Sequence, residues 1–144
     1  DGISINTHLG SNFLIGGQIS GQEPALLMVY PVGNYIHASE IKPFFQLGET
    51  KYGKPILDRL IRNETSLGDA ARCALVSFDS TMKSDLTVGP PIDLVVYKKD
   101  SIQISLEEHL QFKTPFFSDL SSKWSEGLRN LFKELPKFDW ENDQ

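Results

Sequence analysis

Gly48-Glu49-Thr50-Lys51-Tyr52-Gly53-Lys54-Pro55-Ile56-Leu57-Asp58-Arg59-Leu60-Ile61 is the stretch at which the chain changes character. Tyr52, Ile56, Leu57, Leu60 and Ile61 form one apolar stripe at helical spacing. Pro55 fixes where that helix starts, because only first-turn amides need no intrahelical acceptor. Further on, Ser66-Leu67-Gly68-Asp69 resembles a capping box with Asp in place of the usual Glu. It opens a second helix with the stripe Leu67, Ala70, Ala71, Ala74, Leu75, Phe78 and Met82. The alanines in that stripe predict close packing on another element.

Before this stretch the pattern is extended. Asn12 to Ile19 reads as a strand, with Gly16-Gly17 allowing a bulge or a close backbone approach. Ala25 to Tyr30 is apolar on both alternating faces, which fits a strand buried on both sides. Pro31-Val32-Gly33-Asn34 is a turn, and Tyr35 to Ala38 is the returning arm of a hairpin. Phe44-Phe45-Gln46-Leu47 reads as a fourth short strand. After the helices, Ser84 to Pro91 breaks the pattern and Ile92 to Lys98 is a strand with both faces covered. Lys99-Asp100 turns into Ile102, Ile104 and Leu106, which alternate with Gln103 and Ser105. Ser118 is the candidate cap of a last helix with the stripe Leu120, Trp124, Leu128, Leu131, Phe132 and Leu135. The expected order is β-β-β-β-α-α-β-β-α. Strands grouped apart from helices define an α+β chain. Strand sets covered on both faces, with amphipathic helices outside, suggest part of a four-layer α-β-β-α sandwich.

Composition narrows the function. The chain has 144 residues, 40% hydrophobic and 23% charged, which suits one folded domain. Fourteen basic against nineteen acidic residues, a net charge of −5, leave no basic stripe and point away from nucleic acid. The longest apolar run, Ala25 to Tyr30, is six residues, against the ~20 a membrane helix needs. Cys73 is the single cysteine, which excludes a disulfide framework and a zinc site built on several cysteines. His8, His37 and His109 lie on separate segments without helix-face metal spacing, so neither a metal nor a cofactor is expected. No Gly-x-Ser-x-Gly elbow occurs, and no lysine-serine signature follows Gly16-Gly17. Cys73, beside the alanine stripe, reads as a structural thiol. Trp124 and Phe132 read as core residues, and Trp140 as a docking residue for a neighbouring subunit. The opening Asp1-Gly2-Ile3-Ser4 has neither an initiator methionine nor a signal sequence. It is expected to be a processed start or a later part of a longer polypeptide.

Leu47 to Arg59 also resembles the proteasome-type peptidases, and more closely the bacterial proteasome homologues called ancestral β subunits (Anbu). Asn12-Phe-Leu-Ile-Gly-Gly-Gln18, Cys73-Ala-Leu-Val-Ser-Phe-Asp-Ser-Thr-Met-Lys83, Val88-Gly-Pro-Pro-Ile-Asp-Leu94 and Leu135-Pro-Lys-Phe-Asp-Trp140 extend the resemblance over almost the whole chain. The resemblance implies the second half of an N-terminal-nucleophile hydrolase fold, with residues 1–144 as the C-terminal portion of a single proteasome-like domain. It implies a cytoplasmic, homo-oligomeric peptidase without a cofactor, acting on peptide or protein substrates, with no nucleic-acid or membrane partner. In that family the nucleophile is the first residue of the mature chain, usually threonine. Its hydroxyl attacks the carbonyl, and the free α-amine, with an ordinary pKa of ~7.7–8.0, accepts the proton. A lysine and an aspartate from the first half of the fold tune that centre. Residue 1 here is Asp, which has no hydroxyl. The resemblance therefore puts the nucleophile, the lysine and the aspartate in an N-terminal portion absent from this chain, which is not competent alone.

Two segments of the family's second half reach the nucleophile. Where the family usually has Gly-Ser-Gly, this chain has Gly48-Glu49-Thr50. A Glu49 carboxylate can bond the terminal amine and raise its pKa, or Thr50 can supply the hydroxyl. The alternative is local: Thr50 caps the following helix and Glu49 neutralises its N-terminal dipole. Where proteasome β subunits commonly have Asp-x-x-Ser-Gly, this chain has Ser84-Asp85-Leu86-Thr87-Val88-Gly89. Asp85 matches, while Val88 stands at the serine position, leaving Ser84 or Thr87 as substitutes. The bland reading of these residues is a helix C-terminal turn whose polar groups satisfy the backbone. A second function class also stands beside the enzyme part: a non-catalytic, self-assembling proteasome-like module.

Overall fold

Close contact between two helices organises the structure, a computed structural model that describes residues 10–143. The first helix, α1 (Lys54–Leu60), begins at Gly53 and carries Pro55 in its first turn, as the position of the proline requires. The second, α2 (Leu67–Met82), begins at Ser66, whose Oγ accepts the Asp69 backbone N–H at 3.1 Å. Gly53 is buried against α2. A Cβ there would lie 2.9 Å from both the Ser77 carbonyl and Thr81 Oγ1, and closer still to Ser77 Oγ. The backbone at Gly53 is ordinary (φ −92°), so the glycine is required by space and not by torsion. On the adjoining side, Leu57, Ile61 and Cys73 form a buried cluster with Phe44, Ile56 and Ala70 packed against it.

The strands form two antiparallel sheets. In the first, β1 (Phe13–Gly17), β2 (Ala25–Val29) and β3 (Tyr35–His37) pair in sequence order, with Phe13 opposite Val29 and Leu27 opposite His37. In the second, β4 (Ile92–Tyr97) pairs with β5 (Ile104–Leu110). The last long helix, α3 (Pro115–Lys133), and a 3₁₀ turn (Asp139–Asp143) close the order. Leu75 of α2, Ile92 and Leu110 of the second sheet, and Phe117 of α3 make the other buried cluster. Ser121 Oγ donates to the buried Asp79 carboxylate at 2.5 Å, tying α3 to α2.

Gln18 joins the two sheets. Its Nε2 donates to the Gln22 carbonyl at 2.7 Å and to Asp100 Oδ1 at 2.6 Å. Its Oε1 accepts from the Asp100 backbone N–H at 2.7 Å and from the Tyr97 hydroxyl at 2.9 Å. The turn it grips carries two non-glycine residues in the left-handed region, Asp100 at φ 64° and Ile102 at φ 49°.

The α+β class, antiparallel sheets and three helices are as expected, and four local expectations are corrected. Phe44 to Leu47 pairs with no strand among the described residues. It follows Pro43, and its Phe44 turns inward to the α1–α2 cluster. The last helix starts at Pro115 after Thr114 and not at Ser118, because Pro115 presets the first helical torsion and Phe117 already belongs to the buried stripe. The strands expected to be covered on both faces are only partly covered by the described residues: β2 is half-buried on both faces and Val95 of β4 is exposed. Phe132 is not core; it is 74% exposed, because α3 runs past the elements that cover its first turns. Trp124 is half-buried, and Trp140 is exposed and stacked on Phe138 with ring centroids 5.9 Å apart. The Asp1–Ser4 opening and His8 lie outside the described residues.

Gly53→Ala is expected to destabilise the purified protein by about 1–3 kcal/mol, since the contacted carbonyl belongs to the α2 backbone and cannot rotate away. A fall in the urea midpoint at unchanged slope measures it.

Candidate functional site

Three segments distant in the chain converge around the start of α1. They are β1, the 45–50 loop, and the end of α2 with the residues after it. A groove of about 420 Å³ lies between them, lined among others by Leu14, Gln46, Glu49, Phe78, Thr81 and Val88. A second cavity, of about 380 Å³, opens between the first sheet and α1, with Tyr30, Ile36, Phe44, Thr50 and Lys54 in its lining. Glu49 and Thr50, adjacent in sequence, thus border different cavities. Gln46 borders both.

The 48–53 turn is held mainly by its own polar groups. Glu49 Oε1 accepts the Lys51 backbone N–H at 2.6 Å, and the Glu49 carbonyl accepts from Gln46 Nε2 at 3.0 Å. The Thr50 carbonyl accepts from the Lys54 N–H at 3.2 Å, which leads the backbone into α1. The capping alternative for Thr50 is overturned. Gly53 is the N-cap residue, no side chain caps the helix, and no acid stands in its first turn. Lys51 to Gly53 form a turn between Thr50 and the helix, so Thr50 meets the first helical amide through its backbone carbonyl and not through its hydroxyl.

Ser84 and Asp85 follow α2, with both amides donating to the Thr81 carbonyl at 2.9 and 2.8 Å. Asp85 Oδ1 accepts from the Thr87 hydroxyl at 2.7 Å and from the Thr87 N–H at 2.9 Å. These two bonds, the hydroxyl first, hold the Asp85 carboxyl below its ordinary value, with a smaller push the same way from Lys51. The two candidate loops are therefore within electrostatic reach of one another. Val88 reaches the 420 Å³ groove beside Glu49, while Ser84, Asp85, Thr87 and Thr50 are not among its lining residues.

The remaining reactive side chains stand apart. Cys73 is buried, and that burial pushes its thiol up, away from the thiolate form a nucleophile needs. His109 Nδ1 lies 2.7 Å from Asp93 Oδ1 across the second sheet, and His37 meets the Tyr35 ring edge-on at 5.6 Å. Among the described residues no group of three or more His, Cys, Asp or Glu is placed to hold a metal ion. Gln46 is the site residue that strand patterning missed. Its signal was a lone amide inside the aromatic and aliphatic run Phe44-Phe45-Gln46-Leu47.

No family model matches the chain, and no curated protein matches it significantly. Solved structures do. Anbu from Hyphomicrobium sp. strain MC1 is 49% identical, over 89% of this chain and 55% of its own, at a TM-score of 0.85. Anbu, the ancestral β-subunit, from Yersinia bercovieri is 43% identical, over 89% of this chain and 55% of its own, at 0.86. The helical assembly of the Anbu complex from Pseudomonas aeruginosa gives 47% identity, over 92% of this chain and 55% of that one, at 0.85. Backbone and sequence together put the chain in the class of proteasome-like proteins. Within that class it belongs to the Anbu, or ancestral β-subunit, type. It spans about 55% of the length of these relatives.

Thr87→Val removes the hydroxyl bond to Asp85 and leaves the backbone bond, so the Asp85 pKa is expected to rise. A carboxyl NMR titration reads that rise directly. A carboxyl depressed in the folded state stabilises the protein above its unfolded pKa, and the contribution disappears as pH falls through the folded pKa. The stability difference between wild type and variant should therefore be constant near neutrality and close in acid.

Proposed function

We propose that this chain is the C-terminal portion of a single proteasome-like domain of the four-layer α-β-β-α, N-terminal-nucleophile type. In this reading it is part of a cytoplasmic peptidase that hydrolyses peptide bonds, and the nucleophile lies in an N-terminal portion of the same fold. The observation that carries it is the identity with Anbu proteins over about nine-tenths of this chain but only about 55% of theirs. The open strand faces agree. Ile15 of the first sheet and Val95 of the second stand half in water, and a partner that covers the exposed half of such a side chain contributes roughly 1 kcal/mol.

In this reading the hydroxyl of the first residue of the mature protein attacks the scissile carbonyl, and its own α-amine takes the proton. Glu49, bordering the groove next to β1, is the residue of this chain that faces that amine. Its negative charge favours the protonated amine and so sets the pH at which the base becomes free. Asp85, fixed by Thr87, adds a second negative charge in the loop that follows α2, and Thr50 and Ser84 are the auxiliary hydroxyls. The substrate is a peptide or protein, and neither cofactor nor metal enters the scheme.

The test is made on the full-length protein with a hydroxyl-directed covalent peptide inhibitor. One inhibitor mass on the first residue of the mature chain is expected, with Asp85→Ala slowing its formation by about tenfold or more. Absence of any adduct on the wild type overturns the peptidase reading, and unchanged kinetics in Asp85→Ala removes Asp85 from it.

A homo-oligomer is the second part of the reading, and one observation also favours a purely assembling module. The apolar stripe of α3 continues through Leu131, Phe132 and Leu135, all of them half or more exposed among the described residues. Sedimentation of the 144-residue chain alone is expected to show association. A stable folded monomer would remove the assembling-module alternative.

A further inference from the structure

Gln46 carries an unanswered hydrogen-bonding group at the centre of the candidate site. Its Nε2 is committed to the Glu49 carbonyl at 3.0 Å, which fixes the orientation of the amide. That leaves Oε1, which is buried and accepts no hydrogen bond among the described residues. A buried amide oxygen left without a donor costs about 1–3 kcal/mol, and native proteins rarely keep one without a use for it. The Lys51 N–H is held by Glu49 Oε1 and the Thr81 hydroxyl by the Ser77 carbonyl.

The placement of this oxygen is specific. Gln46, with Phe45, lines both the 420 Å³ groove bordered by Glu49 and the 380 Å³ cavity bordered by Thr50, and it is the polar one of the two. Both candidate residues hang from the turn that its Nε2 holds. An amide with one end fastened to the turn and the other end unmet, at the wall of a groove, suits a group that locks an incoming segment to that turn.

We infer that Gln46 is a positioning residue: Nε2 holds the Glu49 turn, and Oε1 takes an N–H or O–H from the upstream segment that fills the groove beside β1. This rests on the reading that such a segment completes the domain. It adds the residue that registers the segment against Glu49. Gln46 moves no proton itself; through one rigid amide it couples the position of the Glu49 carbonyl to that of the arriving chain.

The experiment uses the full-length protein and two variants, with hydrogen exchange as a readout separate from activity. Gln46→Met keeps the length of the side chain and removes both polar groups. Gln46→Glu removes the donor to the Glu49 carbonyl but keeps an acceptor in place. Faster exchange of the 47–53 peptide, by roughly tenfold, is expected in both variants, with α2 unchanged as the folding control. Faster exchange of the upstream segment is expected in Gln46→Met and less in Gln46→Glu, whose acceptor survives. In a structure of the full-length protein, Oε1 should accept a protein N–H or O–H from upstream of this chain. Upstream exchange unaltered in Gln46→Met, or a water as the sole donor to Oε1, overturns the inference. Failure of the peptidase reading shows separately, as a wild type that forms no inhibitor adduct.

Discussion

The contact of Gly53 with Ser77 and Thr81 is the constraint from which the rest of the site follows. Because no side chain stands between them, the start of α1 lies directly on the α2 backbone. That brings the 45–50 loop beside the last turns of α2 and sets the Glu49 turn opposite the residues that follow Met82. The groove between β1, the loop and α2 exists at that separation and would widen with any larger residue at 53. Thr81 contributes twice, by bonding its hydroxyl back to the Ser77 carbonyl at 2.9 Å and by lining the groove.

Much of the polar chemistry in the candidate loops is spent locally. Glu49 holds the Lys51 amide, Asp85 holds both polar groups of Thr87, and Gln46 holds the Glu49 carbonyl. Such turns are rigid before anything binds, which is what a site needs to orient a second segment without losing much entropy on assembly. The bland and functional readings of Asp85 therefore coexist. A carboxylate pinned by a turn is also a carboxylate at a defined place.

Coverage explains the apolar surfaces. Alternating strands such as β4 and β5, and a stripe as long as that of α3, describe elements meant to be packed on more than one side. This chain covers the helix-facing side of β4 and the first turns of α3 through Leu75, Ile92, Leu110 and Phe117. The outer side chains, Val95 and Phe132 among them, remain in water. The two sheets are meanwhile held to one another by polar bonds, through the saturated amide of Gln18 and a turn with two left-handed residues.

The sequence by itself determined the elements whose signals are local. Pro55 and Ser66 placed the two central helices, because first-turn prolines and capping hydroxyls act within a few residues. Alternation and turn residues placed β1 to β5, and the α+β class followed from their grouping. Quoted segments from Asn12 to Trp140 carried the resemblance to Anbu. Only the tertiary structure decided that Phe44 to Leu47 is an unpaired connector among the described residues, that the Thr50 hydroxyl does not cap the helix it precedes, and that Gln18 ties the sheets together while Gln46 holds the Glu49 turn. Those outcomes depend on partners dozens of residues away or on which of two cavities a side chain meets. A periodic pattern encodes which face a residue occupies, and leaves open what stands on the other side of it.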